Sequence, residues 1–384
     1  MSPIDVRAKW VEPRTVAGVR CFVKDQHEVL TTIGELREKV GPAASGPPVC
    51  LFLGHDPEKG FEVEIGLPVP KDAAIAGAEI KSMPGDHVLS ATHTGPYTKS
   101  DGAPGLRETA ERMWGFIAER NLLAGDNPTR YVYLEGPETH ENRAERYVTE
   151  IQISYHFPTW IESLERGLKK RTDEKTAAAV TAGADEVRHD FDSEKLRAWV
   201  LGALDRLDES IPSERTRACV LNGCAHRYPK AQLLRMKAAY EEEGDVVRFI
   251  ERLNRDDDLF PSRIFRVEGE PRHVVYTEKL VPPWNREAYE QAKDPAEKRY
   301  YGCFCSLVKE VIRTGEELSP SFCNCSAGWY VQMWETILDR SPIRVDVVES
   351  ILRGDDRCRF AIHLPEDLFA GRVGAYAQPS SLCG

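Results

Sequence analysis

Two separate stretches of the N-terminal half carry the period-two pattern of a strand. Residues 146–155 carry β-branched and aromatic side chains with no Gly or Pro between them, which predicts a strand. A period of two puts Val148, Glu150, Gln152 and Ser154 on one face and Tyr147, Thr149, Ile151, Ile153 and Tyr155 on the other. A carboxylate in mid-strand ordinarily faces water. The same arrangement occurs earlier, over residues 61–69, where Glu64 stands as Glu150 does later, and the echo predicts an internal duplication.

Residues 8–158 divide into two similar passes. The first predicts a strand near Thr15–Val23, a helix near Thr32–Val40 ended by Gly41, and strands at Val49–Leu53 and Phe61–Val69. The second predicts strands at Ile80–Met83 and His87–His93 around the turn dipeptide Pro84-Gly85. A helix from Pro104 follows, with Leu106, Ala110, Met113, Trp114 and Ile117 as its apolar stripe, and then strands at Arg130–Leu134 and Tyr147–Tyr155. Beyond Pro158 the pattern turns helical and charged, with amphipathic segments near Ile161–Lys170, Ser193–Leu207, Lys230–Glu243 and Val246–Asn254 and a small-residue loop at Ala177–Ala184. From Ile264 strands return as two hairpins, one turning at Glu268–Pro271 and one at Gly354–Asp356, with helices at Leu307–Arg313 and Ser326–Leu338 between them. The predicted fold class is α+β. An N-terminal tandem repeat of strand-helix-strand-strand units with a pocket between them (residues 1–158) precedes a helical, then α+β, Cys-rich domain (residues 159–384).

Composition narrows the function classes. A length of 384 residues is more than one ordinary core, and 41% hydrophobic with 29% charged residues is the balance of a globular protein. No apolar run reaches the roughly 20 residues a membrane helix needs, so no membrane partner is expected. The opening MSPIDVRAKWVEP lacks a signal-peptide core, and the expected location is the cytoplasm. A net charge of −11 argues against a nucleic-acid partner, because phosphate binding needs clustered Lys and Arg.

His93-Thr94-Gly95-Pro96-Tyr97, the Trp114 helix, Tyr131–Leu134 and Thr149-Glu150-Ile151-Gln152-Ile153 together resemble the GyrI-like small-molecule-binding domain, also the effector-binding domain of multidrug-responsive activators. Family members usually continue the last strand with Pro where this chain has Ser154; the first pass has that Pro, as Pro68. The resemblance implies a hydrophobic pocket between the repeats, lined by aromatic residues with the last strand's Glu at its base. It names Glu150 first, then Tyr97, Trp114, Tyr131, Tyr133 and Tyr155. A Glu under aromatic walls selects lipophilic cations or serves as an acid/base, and aromatic faces add cation–π attraction of about 0.5–2 kcal/mol per contact.

Ten cysteines, eight of them after residue 200, suggest metal binding or thiol chemistry before disulfides in a reducing compartment. Cys303-Phe304-Cys305 and Cys323-Asn324-Cys325 each precede Ser and a helical stretch. Thiols at helix N-termini are expected to ionise more readily, and four of them suit zinc, with Cys219 and Cys224 as further ligands. Zinc and redox activity stay open as alternatives, beside the plainer reading of buried small hydrophobes. Cys358 reads as buried, and Cys21, Cys50 and Cys383 as structural. The two C-x-C pairs and Glu349–Phe360 resemble the aminothiazoline-carboxylate-hydrolase-like group, itself similar at its C-terminal hairpin to vinyl-4-reductase small-molecule domains. That likeness implies a second ligand-binding or hydrolytic module with a Cys-based site.

The leading expectation is a protein that captures a hydrophobic, cationic or electrophilic small molecule. Its rivals are a hydrolase that detoxifies such ligands with Glu150 as acid/base, as in cyclopropanoid hydrolases that the first resemblance brings in, and a regulator acting through a partner.

Overall fold

The computed structural model describes residues 4–99, 104–140, 143–228, 230–260, 263–267 and 273–369. The turn at Glu268–Pro271 and Cys383 lie outside the described residues. The chain forms two units: residues 1–160 with 183–196, and residues 161–182 with 197–384.

The first unit is built on one antiparallel sheet of eight strands: β1 (Arg7–Val11), β2 (Arg14–Val23), β3 (Val49–Asp56), β4 (Gly60–Pro68), β5 (Glu79–Met83), β6 (Asp86–Thr94), β7 (Thr129–Glu135) and β8 (Val148–Ser154). Helix α1 (Gln26–Val40) follows β2, and α2 (Leu106–Glu119) follows β6. The order across the sheet, β1-β6-β8-β7-β3-β4-β2-β5, reads the same in either direction once the repeats are superposed, so the duplication is real. Each repeat also has a short leading strand: β5 is the expected strand at Ile80–Met83, and β1 is one that the sequence pattern did not show. These short leading strands, β1 and β5, are exchanged: β1 pairs with β6 of the second repeat and β5 with β2 of the first. The strands either side of Pro84-Gly85 therefore do not form a hairpin with each other. Helix α1 begins at Gln26, earlier than periodicity suggested, because the Asp25 carboxylate caps the His27 and Glu28 amides.

Register assigns the faces. Cys21 pairs with Val63, Cys50 with Tyr131, and Tyr131 with Ile151, so these share one face. Thr32 of α1 hydrogen-bonds Cys21, and Thr109 of α2 lies 2.9 Å from His93, a neighbour of Thr149 on the same face. Both helices therefore cover this side, burying Val29, Ile33, Leu36, Met113 and Ile117 against Val63, Ile65, Leu89 and Ile151.

The second unit carries the antiparallel sheet β11-β12-β10-β9, formed by β9 (Arg263–Val267), β10 (Val274–Lys279), β11 (Arg344–Glu349) and β12 (Cys358–His363). Both expected strand pairs form, and Gly354 turns the second with φ +97°. The helix Asn324–Leu338 is the centre of the core: Tyr330, Met333 and Trp334 are fully buried against Phe249, Phe265 and Phe360. The expected loop at Ala177–Ala184 is instead mostly helix, Glu174–Val180, because Asp173 caps the Thr176 amide and alanine favours helix. Leu307–Arg313 shortens to a helix over Val311–Thr314, closed by left-handed Gly315. Among the described residues no helix is long and apolar enough to cross a membrane.

Gly328 is where that central helix meets the helix Glu214–Asn222. A Cβ there would lie 2.0 Å from the Asn222 carbonyl oxygen, a contact that backbone cannot relieve by rotating a side chain. Gly328→Ala is expected to destabilise the second unit by at least about 1–3 kcal/mol, the usual cost of overpacking, read as a lower urea midpoint. An unchanged midpoint would show that the two helices separate without cost.

Candidate functional site

Glu150 lies on the face opposite the helices. Its cross-strand neighbours are Thr92 on β6 and Val132 on β7. Its side chain is 14% exposed, one carboxylate oxygen is ion-paired with the Lys9 ammonium, and the Gln152 amide donates to the other at 3.1 Å. Lys9 belongs to β1, the exchanged strand, so the first repeat supplies the counter-ion of the second repeat's carboxylate. The arrangement is duplicated: Lys81 on β5 sits 3.4 Å from Glu64 on β4, the position equivalent to Glu150. Lys9 pairs across the sheet with Val88, which neighbours Ser154, and Lys81 with Val16, which neighbours Pro68.

Between the two carboxylates runs an apolar strip. Val132 neighbours Glu150, Leu51 neighbours Glu64, and these two pack with Val16, Val49 and Met83. Beside it, Asp86 and Arg130 form a buried ion pair at 3.1 Å, and the Ser154 hydroxyl donates to the second Asp86 oxygen. Burial pushes the Asp86 carboxyl up against the pull of Arg130, and pushes Arg130 down against the pull of Asp86. Ser154, the departure from the usual proline, thus holds the end of this pair.

The aromatic candidates are elsewhere. Tyr131 and Tyr133 pair with Ile151 and Thr149, so both point to the helix-covered side, away from Glu150. Tyr131 packs on Phe52 at 4.6 Å, and Phe52 on Phe61 at 6.2 Å, making a partly exposed aromatic patch. Tyr133 is buried and accepts from the Gln26 amide at 2.7 Å. Tyr97, set by the His93–Pro96 turn through Gly95 at φ +136° and the His93 contact to the Pro96 carbonyl, packs on Tyr133 and Tyr147. Tyr155 is fully buried with its hydroxyl donating to the Asp190 carbonyl, and Trp114 is 44% exposed on α2. The structure brings together Tyr97 and Tyr133 but sets no tyrosine of the group beside Glu150. The residues that do surround Glu150, Lys9 above all, were missed. The signal was present, as a lysine between apolar neighbours in Ala8-Lys9-Trp10 and a lysine after Ile80 in Ile80-Lys81-Ser82.

Residues 4–156 match the family model of the GyrI-like small molecule binding domain. This region is a small-molecule-binding domain of that type. No curated protein sequence matches the chain. Among solved structures, the C-terminal domain of EcmrR is 21% identical, with 39% of this chain and 96% of that one covered and a TM-score of 0.33. EcmrR in an assembly with DNA is 20% identical, covering 39% of this chain and 56% of that one at a TM-score of 0.33. SAV2435 bound to tetraphenylphosphonium is 12% identical, covering 40% and 94% at a TM-score of 0.29. The expectation that no nucleic acid is bound finds no support in these likenesses.

Outside the GyrI-like domain, the cysteines separate into two groups. Cys303 feels the charges of Cys305, Cys323 and Cys358, and Cys323 Sγ lies 2.9 Å from the Ser350 hydroxyl. Cys325 instead neighbours Cys224, and Cys219 is partly exposed. Among the described residues no three cysteine sulfurs lie within 4.8 Å of one another. Nor are Cys224, Cys303, Cys305 and Cys323 acidified. Cys305 Sγ accepts from the Leu307 and Val308 amides and faces Lys279 and Lys309, yet burial raises it. Burial also raises Cys303 and Cys224, and pushes Cys323 up to about 12. Cys303 sits at the C-terminal end of the helix Pro295–Gly302, where the dipole disfavours a thiolate. In the same unit a cavity of about 240 Å³ opens on the sheet beside Arg266, Tyr276, Glu278, Arg357 and Arg359. Its charges are already engaged: Arg357 pairs with Glu278 at 3.0 Å, and Arg359 lies over Tyr276.

Two expectations follow for titration. Alkylation of Cys303, Cys305 and Cys323 by iodoacetamide in the folded protein is expected to be slow at neutral pH and to rise steeply only under alkaline conditions, as peptide mass mapping would record; rapid neutral labelling would contradict the burial argument. Burial also holds Tyr131 up to about 12 from its ordinary 10.0 and raises Tyr97, Tyr133 and Tyr155. The unfolded chain then loses these protons first, so stability present below about pH 10 declines as pH rises towards 12. Phenolate absorbance and unfolding midpoints across that interval test it.

Proposed function

We propose that the GyrI-like domain captures hydrophobic cations on the face of its sheet opposite the helices, with Glu150 as the anionic anchor. The observation that carries this reading is the setting of Glu150. It is a carboxylate mostly withdrawn from water, beside the apolar Val132–Val49–Leu51 strip, and balanced by an ammonium that is 42% exposed. A lipophilic cation brings its charge to the carboxylate and withdraws its own apolar body from water beside partly exposed Leu51, Val132 and Val49 being already buried. Engagement of both carboxylate oxygens, by Lys9 and Gln152, favours capture over acid/base turnover. The aromatic patch of Tyr131 and Phe52 stands outside this reading because register turns it to the other face.

Tetraphenylphosphonium is a suitable probe, titrated by calorimetry. Glu150→Gln keeps the shape and removes the charge, and is expected to weaken binding about ten- to hundredfold, the range for a charged contact in a partly buried site. Tyr131→Phe is expected to leave affinity unchanged. Equal binding by wild type and Glu150→Gln would remove the reading, and loss on Tyr131→Ala with Glu150→Gln intact would move the site to the helix-covered face.

A further inference from the structure

We propose that Lys9 is a resident counter-ion that a ligand must displace from Glu150, and that it thereby sets which cations the domain accepts; this rests on the reading of Glu150 given above. The exchange of β1 and β5 delivers one lysine from each repeat to the carboxylate of the other, and the two pairs differ in how firmly they are held. Lys81 is shared between Glu64 at 3.4 Å and Glu79 at 3.0 Å, and is 26% exposed. Among the described residues Lys9 pairs with Glu150 alone, and it is 42% exposed at the sheet edge. The Glu64 seat is therefore locked by a shared ammonium, while the Glu150 seat opens by rotation of one flexible, half-solvated side chain.

That difference has a chemical consequence. A cation entering at Glu150 replaces one positive charge by another, so its charge gain is reduced by what the Lys9 pair gives up. The surplus must come from the cation's own apolar surface withdrawn from water beside partly exposed Leu51, since Val132 and Val49 are already buried, at about 25 cal/mol per Å². Small, strongly hydrated cations gain nothing over Lys9. Bulky phosphonium or quaternary ammonium ions carry enough apolar area to displace it. Lys9 is in this sense a specificity-determining residue. A lysine on an edge strand also discourages edge-to-edge sheet pairing, so its test must read ligand binding and not solubility alone.

The experiment titrates tetraphenylphosphonium and tetramethylammonium into wild type, Lys9→Met, Lys9→Arg, Glu64→Gln and Glu150→Gln, each checked for folding by circular dichroism. Lys9→Met is expected to bind tetraphenylphosphonium about two- to fivefold tighter, the scale of a partly exposed ion pair released, and to gain measurable affinity for tetramethylammonium. Lys9→Arg and Glu64→Gln are expected to bind as wild type does. In parallel, acetylation of Lys9 in the wild-type protein, followed by mass spectrometry, is expected to accelerate when tetraphenylphosphonium is added, because the displaced amine is freed. Glu150-dependent binding that Lys9→Met leaves unchanged or weakens, or Lys9 acetylation unaffected by the ligand, overturns this proposal and leaves the anchor reading standing. Binding by Lys9→Met alone, with wild type silent, supports it. Binding insensitive to Glu150→Gln, or absent from every variant, removes the anchor reading and this inference together.

Discussion

The pairing of each repeat's leading strand with the opposite repeat is the constraint on which the first unit depends. Without it, two strand-helix-strand-strand units would meet only at the β7–β3 seam, a single pairing at the centre of the sheet. With it, β1 and β5 close both flanks, and each repeat is completed by the other. The same exchange carries Lys9 and Lys81 across to Glu150 and Glu64. Folding and the charge balance of the two withdrawn carboxylates are thus one event. A carboxylate largely withdrawn from water is costly unless a cation comes with it, and here the cation arrives on the strand that finishes the sheet.

Much of this fold was legible in the chain, because the duplication repeats at the level of individual residues. Glu64 and Glu150, Pro68 and Ser154, and the two helices in the same relative place all anticipated the mirrored strand order. What the pattern concealed was the partner of each short strand. Ile80–Met83 stands two residues from the next strand around Pro-Gly, which reads locally as a hairpin, and only the long-range pairing with β2 corrects it. Period two also settles the aromatic question more firmly than any inventory of tyrosines. Val132, not Tyr131 or Tyr133, opposes Glu150, so a tally of aromatic residues near the motif overstates what can share a surface with that carboxylate.

The second unit was harder to read because spacing says little about burial. Two C-x-C pairs before two helical stretches suggested acidified thiols, yet what acts on each sulfur is its own surroundings. Cys305 does receive two backbone amides and two lysines, the arrangement that would favour a thiolate, and burial still outweighs them. Cys325 turns away to Cys224, while Cys358, distant in sequence, joins the other three because β12 begins beside them. Nothing in the local sequence distinguishes those two outcomes.

The two ion pairs show how a duplication can acquire unequal halves without altering its frame. Both lysines meet their carboxylates from the same register, and both carboxylates border the same apolar strip. The difference lies in one added residue, Glu79, which gives Lys81 a second anchor where the matching position near Lys9 is Arg7, exposed and paired with Asp5. One acidic side chain at a strand start thus converts an openable seat into a closed one. Symmetry supplies two candidate sites, and a single local charge selects between them.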